Sequence, residues 1–147
     1  MVKHHVEEIT LVAKAPTLEA AFSKISLSLF DLVVNTQDID FLITKTIIMR
    51  SRDLKNLLYQ FLKRLYDLAN NELFLLSTVK NITIEQVGAE YLLNTVLLGD
   101  KMNSHYEIKD IVKQITDRNI LIKEDREGTL VQINIVVERR NIKEDEV

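Results

Sequence analysis

The spacing of the apolar residues alternates between two periods along this chain, and that alternation constrains the fold more than any other feature. Over residues 17–35 and 52–69, apolar side chains recur every three to four positions, which is the spacing of one helix face. Elsewhere they alternate with polar residues or form short β-branched runs, as in strands. Two helices among about seven or eight mostly consecutive strands predict an α+β fold, a mostly antiparallel sheet with the two helices packed on it.

Local signals predict where several elements begin and end. Pro16 has no N–H to donate, so the strand over residues 8–14 should not extend past it. Thr17 is a good N-cap for the first helix, and Ser51 can cap the second. Residues 125–128 read Asp-Arg-Glu-Gly, and the glycine can take a positive φ, which predicts a hairpin turn.

Length and composition indicate one globular unit. The 147 residues predict a single domain over residues 1–147, with about residues 139–147 as a flexible tail. Cysteine is absent, which excludes disulfides and thiolate chemistry. The formal net charge of -3 gives no global basic field for nucleic acid. The N-terminus lacks the apolar run of a signal peptide, and no stretch approaches the roughly 20 apolar residues of a membrane span, so we expect a cytoplasmic protein without membrane contact.

No motif of an independent enzyme is present in the sequence. There is no Gly-rich phosphate loop, nucleophile elbow, His-Glu-x-x-His or calcium-loop spacing. His4 and His5 point to opposite faces of an extended strand, so they cannot easily share one metal ion. A solvated N-terminus is the simplest interpretation of this pair.

The start and middle of the second predicted helix carry several cations, which could form a local basic patch. Asp53 and Asp67 lie among them, and no aromatic residues are interleaved for stacking on bases. An ordinary solvated helix face is therefore the favoured interpretation. The cations are Arg50, Arg52, Lys55, Lys63 and Arg64.

The order of several short segments resembles that of the archease family, over nearly the whole chain. Each segment is weak alone, and their order carries the resemblance. The segments are His5-Val6-Glu7-Glu8-Ile9, Thr17-Leu18-Glu19-Ala20-Ala21-Phe22, Leu27-Ser28-Leu29-Phe30-Asp31-Leu32, Asp53-Leu54-Lys55-Asn56-Leu57-Leu58, Glu72-Leu73-Phe74-Leu75, Gly99-Asp100, and the stretch from His105 to Val112 that contains Glu107-Ile108-Lys109.

The resemblance implies a role as well as a fold. Archeases are small α+β proteins that bind a divalent metal through acidic side chains and assist the tRNA-splicing RNA ligase, a guanylyl-transferring enzyme. They are accessory factors without independent catalysis, and an older proposal makes them chaperone-like. The resemblance therefore implies an RNA ligase protein as the partner, RNA contacted only indirectly, and a divalent metal, Ca²⁺ or Mg²⁺, as the cofactor.

The resemblance also implies site residues. Glu8, Glu138 and Asp100 are the candidate metal ligands, and Lys109 and His5 are candidate partner contacts, with His5 also positioning its strand. The sequence gives no indication of the oligomeric state.

The chain departs from the family pattern at the candidate metal site. Glu8 replaces the family's aspartate, and Val136 stands where the last strand should carry another, so that Glu138 is the nearest substitute. A hard cation needs several oxygens converging within a narrow range, so one extra methylene matters. The family's acidic second helix has also changed sign at residues 60–64. Two interpretations remain open: the metal site has migrated, or the scaffold has lost it.

Overall fold

A computed structural model describes the backbone of residues 2–143 and the side chains of residues 5–140. Two α-helices lie among the strands of this part of the chain. In chain order the elements are β1 (Val2–Ala15), α1 (Leu18–Val33), a 3-10 turn (Thr36–Asp38), β2 (Ile43–Ser51), α2 (Leu54–Glu72), β3 (Phe74–Val87), β4 (Glu90–Lys101), β5 (Ile111–Ile115), β6 (Leu121–Asp125) and β7 (Gly128–Lys143). Both helices thus cover the stretches that the apolar spacing predicts.

The strands form two antiparallel sheets. In sheet A, β7 pairs with β1, β5 and β6, whereas sheet B has the order β2-β4-β3. The prediction of an α+β fold with antiparallel strands and two helices is confirmed. The division into two sheets was not predicted, because apolar spacing reveals which residues of a strand are buried but not which strand pairs with which.

Both helices contact strands of both sheets, so the main hydrophobic core joins the two sheets, and a second, small cluster contains Val34, Ile39 and Leu75. Phe22 of α1 and Phe61 of α2 are fully buried and stack with their ring centroids 6.0 Å apart. Over the described residues, no helix combines the length and apolarity that crossing a membrane requires.

The two predicted helix caps had different outcomes. Thr17 caps α1, because its side-chain oxygen accepts a hydrogen bond from the backbone N–H of Ala20 at 3.1 Å. The prediction that Ser51 caps α2 was wrong. Ser51 belongs to β2, and Asp53 is the cap, accepting from the N–H of Lys55 at 2.8 Å. A carboxylate at this position also favours the helix dipole.

The hairpin between β6 and β7 forms as predicted, and Gly128 has a φ of +127°. A Cβ atom at this residue would lie 2.5 Å from the carbonyl oxygen of Ala15, so the close approach of the chain also requires glycine. The predicted tail needs a correction: residues 139–143 belong to β7, because β1 begins at Val2 and pairs with them. Residues 144–147 lie outside the described residues.

Candidate functional site

Glu8 lies on the outer face of sheet A. Residues Ile9, Leu11 and Ala13 of β1 face the core, so Glu8 points away from it. The guanidinium of Arg118 donates to the Glu8 carboxylate, with Nη2 2.6 Å from Oε1 and Nε 3.1 Å from both oxygens. The amide Nδ2 of Asn134 donates to Oε2 at 2.7 Å. Both carboxylate oxygens are therefore hydrogen-bonded.

The partners of Glu8 control its protonation. The hydrogen bond from Arg118, followed by that from Asn134, lowers the pKa of the Glu8 carboxyl below its ordinary value, and Glu8 in turn raises the pKa of Arg118. Near neutral pH the pair is an ionised carboxylate and a guanidinium. A metal ion that bound Glu8 would have to displace this guanidinium.

A network of side-chain amides holds Asn134 in place. Its Oδ1 accepts from Thr10 Oγ1 at 2.7 Å and from Asn119 Nδ2 at 3.1 Å, and Gln132 donates to Asn119 Oδ1 at 3.0 Å. The backbone N–H of Asn134 donates to the carbonyl of Arg118 at 3.0 Å, which fixes the segment between β5 and β6 against β7. We call this set the Glu8 cluster: Glu8, Thr10, Arg118, Asn119, Gln132 and Asn134.

Glu7 belongs to a second network at the end of sheet A. Arg139 Nε donates to Glu7 Oε1 and its Nη1 donates to Asp110 Oδ2, both at 2.9 Å. His5 Nε2 lies 3.4 Å from Glu7 Oε2. The hydrogen bond from Arg139 lowers the pKa of Glu7, and Glu7 and Asp110 together raise the pKa of Arg139. We call Glu7, Arg139, Asp110 and His5 the Glu7 cluster.

Asp100 lies in sheet B, at the end of β4, and has a structural partner there. Its Oδ2 accepts from the Tyr106 hydroxyl at 2.6 Å, and that hydroxyl accepts from the backbone N–H of Asp40 at 3.1 Å. The hydrogen bond to Asp100 raises the pKa of Tyr106. Asp100 thus helps to fasten the segment between β4 and β5.

Gly99 has a structural reason to precede Asp100. An added Cβ atom at Gly99 would lie 2.0 Å from the backbone oxygen of Leu75 and 2.8 Å from the Phe74 ring. Glycine therefore allows β3 and β4 to approach each other closely, next to the residue whose carboxylate accepts the hydrogen bond from Tyr106.

The two predicted partner contacts lie at the same end of sheet A. His5 pairs with Arg139 across the strands and is 57% exposed at its side chain. Lys109 precedes Asp110 of the Glu7 cluster, and its backbone N–H donates to the carbonyl of Val33 at 2.6 Å. Lys109 also lines a polar cavity beside His105 and Tyr106.

The predicted metal ligands are not brought together as a set of three. Glu8 and Glu138 lie two residues apart in register on the outer face of sheet A, since Glu8 pairs with Val136, whereas Asp100 is in sheet B. Among the residues with described side chains, no group of three or more acidic or histidine side chains is placed to hold a metal ion. Divalent binding through Glu8 stays a prediction.

Sequence reasoning missed the arginines of both clusters. Arg118 is 110 residues from Glu8 in sequence, and no local pattern connects them. Asn134 did carry a signal, because Gln132 and Asn134 alternate with buried residues of β7 and must face outward. Two cations of the basic patch considered from the sequence have carboxylate partners. Lys63 Nζ of α2 lies 2.8 Å from Asp67 Oδ1, and Arg50 Nη1 of β2 lies 3.9 Å from Glu90 Oε1.

Comparison with known proteins gives one consistent family. The sequence profile described as the archease protein family (MTH1598/TM1083) matches residues 3–137. Over 125 residues the chain is 33% identical to the protein archease of Pyrococcus furiosus, which covers 84% of this chain and 87% of that protein. It is 31% identical to the protein archease of Thermococcus kodakarensis, with the same coverage.

A solved structure shares the fold. The solution structure of Methanobacterium thermoautotrophicum protein 1598 superposes with a TM-score of 0.71 and 19% sequence identity, covering 95% of this chain and 98% of that one. The structural likeness concerns the fold alone, whereas the profile match extends over most of the sequence. From the profile and the sequence identities together, this chain belongs to the archease family.

Proposed function

We propose that this protein is a cytoplasmic accessory factor that assists an RNA ligase of tRNA splicing and has no catalytic activity of its own. The observation that carries the proposal is membership of the archease family over residues 3–137. The proposed action is to raise the turnover of the ligase or its guanylylated fraction. The partner is the ligase protein, and RNA is contacted only through it.

The protonation of the two clusters supports action through a partner. Arginines lower the pKa of both Glu7 and Glu8, so both carboxylates are ionised near neutral pH. A general acid needs a proton to donate at the working pH, and a general base works best with a pKa near it. These carboxylates are poorly suited to either task and well suited to fixed charge on a contact surface.

The end of sheet A is the proposed contact surface. Lys109 lies there next to the Glu7 cluster, to which His5 belongs and in which Glu7 and Asp110 share the single guanidinium of Arg139. Mixed charges of this kind give orientation and specificity to a protein contact more than raw affinity.

The surroundings of Glu8 do not fit a Ca²⁺ or Mg²⁺ site in this arrangement. A hard divalent cation needs several converging oxygens, and the oxygens of Glu8 are hydrogen-bonded to Arg118 and Asn134. The same observation favours a second candidate function, a non-catalytic or chaperone-like scaffold that has lost the metal site. In that case Arg118 supplies the positive charge that balances Glu8.

A ligation assay with the RNA ligase from the same source tests the proposal. The protein alone should join no RNA ends, and substoichiometric amounts should raise the ligase's turnover or its guanylylated fraction. The assay is repeated with Mg²⁺, Mn²⁺ and Ca²⁺. Absence of stimulation with every metal would overturn the ligase role and leave the scaffold function as the better account.

A further inference from the structure

We propose that the cavity between the C-terminal ends of α1 and α2 binds a small amphipathic carboxylic acid, with its apolar tail inside and its carboxylate on Arg140. The cavity has a volume of about 310 Å³. That is at the lower end of the range of small-molecule sites, which span roughly 300–1,000 Å³. The proposal is independent of the role with the RNA ligase.

The walls of the cavity are mainly apolar and come from several elements. Leu29 and Phe30 of α1, Ala69 of α2 and Leu75 of β3 line one part. Ile108, which precedes β5, and Ile111, its first residue, line another. An apolar tail that enters this space is removed from contact with water. This burial of apolar surface is the main favourable contribution to the binding free energy.

Arg140 provides the polar end of the site. It lines the cavity and is exposed. Among the described side chains it has no ion-pair partner, in contrast to Arg118 and Arg139. The nearby carboxylate of Asp110 is already engaged, since Oδ2 accepts from Arg139 and Oδ1 accepts from the backbone N–H of Arg140. Among the side chains of residues 5–140, no carboxylate occupies this guanidinium, which can bind a ligand carboxylate through paired hydrogen bonds.

The helix ends influence where the anion can lie. Neither α1 nor α2 has a basic residue in its last turn, so both carboxyl ends retain their partial negative charge. This charge disfavours an anion deep between the helices, but each end carries only about half an elementary charge. The full charge of Arg140 at the edge outweighs it locally, which favours a ligand with its tail inside and its head outside.

Calorimetric titration of decanoate into the full chain, below the concentration at which decanoate forms micelles, tests the proposal. We expect saturable binding of one molecule, with octanoate weaker by about fourfold for each methylene that is no longer buried. Decyltrimethylammonium, with the same tail and the opposite charge, should bind much more weakly. Equal binding of the cationic and anionic probes would contradict the role of Arg140.

Two variants and one control locate the site. Arg140→Gln should weaken decanoate binding at least tenfold and leave decanol binding unchanged, whereas Arg126→Gln, in the hairpin turn between β6 and β7, should change neither. Ala69→Phe should fill the cavity and abolish binding of both, and its fold is checked by urea unfolding. If that variant does not fold, amide shifts of the wild type on adding decanoate decide the location.

Besides equal binding of the two probes, three results would overturn the proposal: no saturable binding of decanoate, wild-type affinity in Arg140→Gln, or amide shifts that avoid the cavity. Concentration-dependent self-association that persists in decanoate, together with absence of decanoate binding, would instead identify a second copy as the occupant.

Discussion

Glu7 and Glu8 are adjacent on β1, yet their carboxylates lie on opposite faces of sheet A and have different charge environments. Their side chains are similarly exposed, at 37% and 33%. Glu8 has an arginine of its own, whereas Glu7 shares Arg139 with Asp110. We therefore expect that exposure alone does not determine how much each ion pair contributes to stability. The number of charges left unbalanced when one partner is removed should matter more.

The largest effect should follow loss of the shared arginine. Arg139→Met keeps an apolar stem but leaves Glu7 and Asp110 close together without their common cation. We expect the free energy of unfolding to fall by about 1–2 kcal/mol, because Arg139 is half-buried and makes two charge-assisted hydrogen bonds. Urea unfolding of the wild type and the variant at low ionic strength measures this fall in the free energy of unfolding. No loss of stability would contradict the role assigned to the shared pair.

A smaller effect is expected at acidic pH. Arg139 lowers the pKa of Glu7 below its ordinary value of 4.5. A carboxyl whose pKa is lowered by folding contributes stability above the unfolded pKa and loses it as the pH falls through the folded pKa. The wild type should therefore be more stable than Glu7→Gln at neutral pH.

The stability advantage over Glu7→Gln should shrink once the pH falls below about 4.5. Urea unfolding of both proteins at several pH values measures the difference. A stability advantage that is constant from neutral to strongly acidic pH would contradict the claim that Glu7 and Arg139 form an ionised pair.

The next effect concerns Glu8 and Arg118, which among the described side chains form an ion pair with each other only. Arg118→Met should destabilise the protein less than Arg139→Met, since Arg118 is 53% exposed and its removal leaves only one carboxylate, which water and Asn134 can still solvate. The two variants change the same residue type in the same way, so they form a matched pair. Equal losses in urea unfolding would remove the distinction between the clusters.

The smallest signal should come from metal binding. A cation at Glu8 must displace Arg118, so we predict weak binding of Mg²⁺ or Ca²⁺ that is lost in Glu8→Gln and strengthened in Arg118→Met. Calorimetric titration compares the three proteins. Equal heats for wild type and Glu8→Gln would exclude Glu8 as a ligand, and no binding by any of them would support the scaffold that has lost its metal site.

The fold was largely predictable from the sequence, because burial on one side of a helix or strand leaves a period in the residues themselves. The apolar stripe of α2 from Leu54 to Leu68 is an example. The hairpin was predictable for another reason, since its glycine can take a positive φ. The division into two sheets was not predictable, since pairing depends on contacts between distant strands. Ser51 was mistaken for a cap because Asp53, two residues later, is an equally good capping residue.

For each arginine contact of the candidate site, the sequence indicated at most the residue that the arginine contacts, and never the arginine itself. The sequence singled out Glu8, His5 and Lys109, but their neighbours Arg118 and Arg139 come from distant parts of the chain. Asp100 was grouped with Glu8 as a candidate metal ligand because of the family resemblance, and the fold places it with Tyr106 in the other sheet. A charge in a sequence does not reveal its partner.

The central claim is that the end of sheet A acts on a partner ligase, and matched lysine variants test it most directly. Lys109 lies beside the Glu7 cluster, whereas Lys55 lies on the first turn of α2. The measurement is the stimulation of RNA ligase turnover by Lys109→Ala and Lys55→Ala at equal concentration. We predict that Lys109→Ala weakens stimulation and Lys55→Ala leaves it near the wild-type level. Stimulation that survives Lys109→Ala but is lost with Lys55→Ala would contradict the account and place the contact on α2.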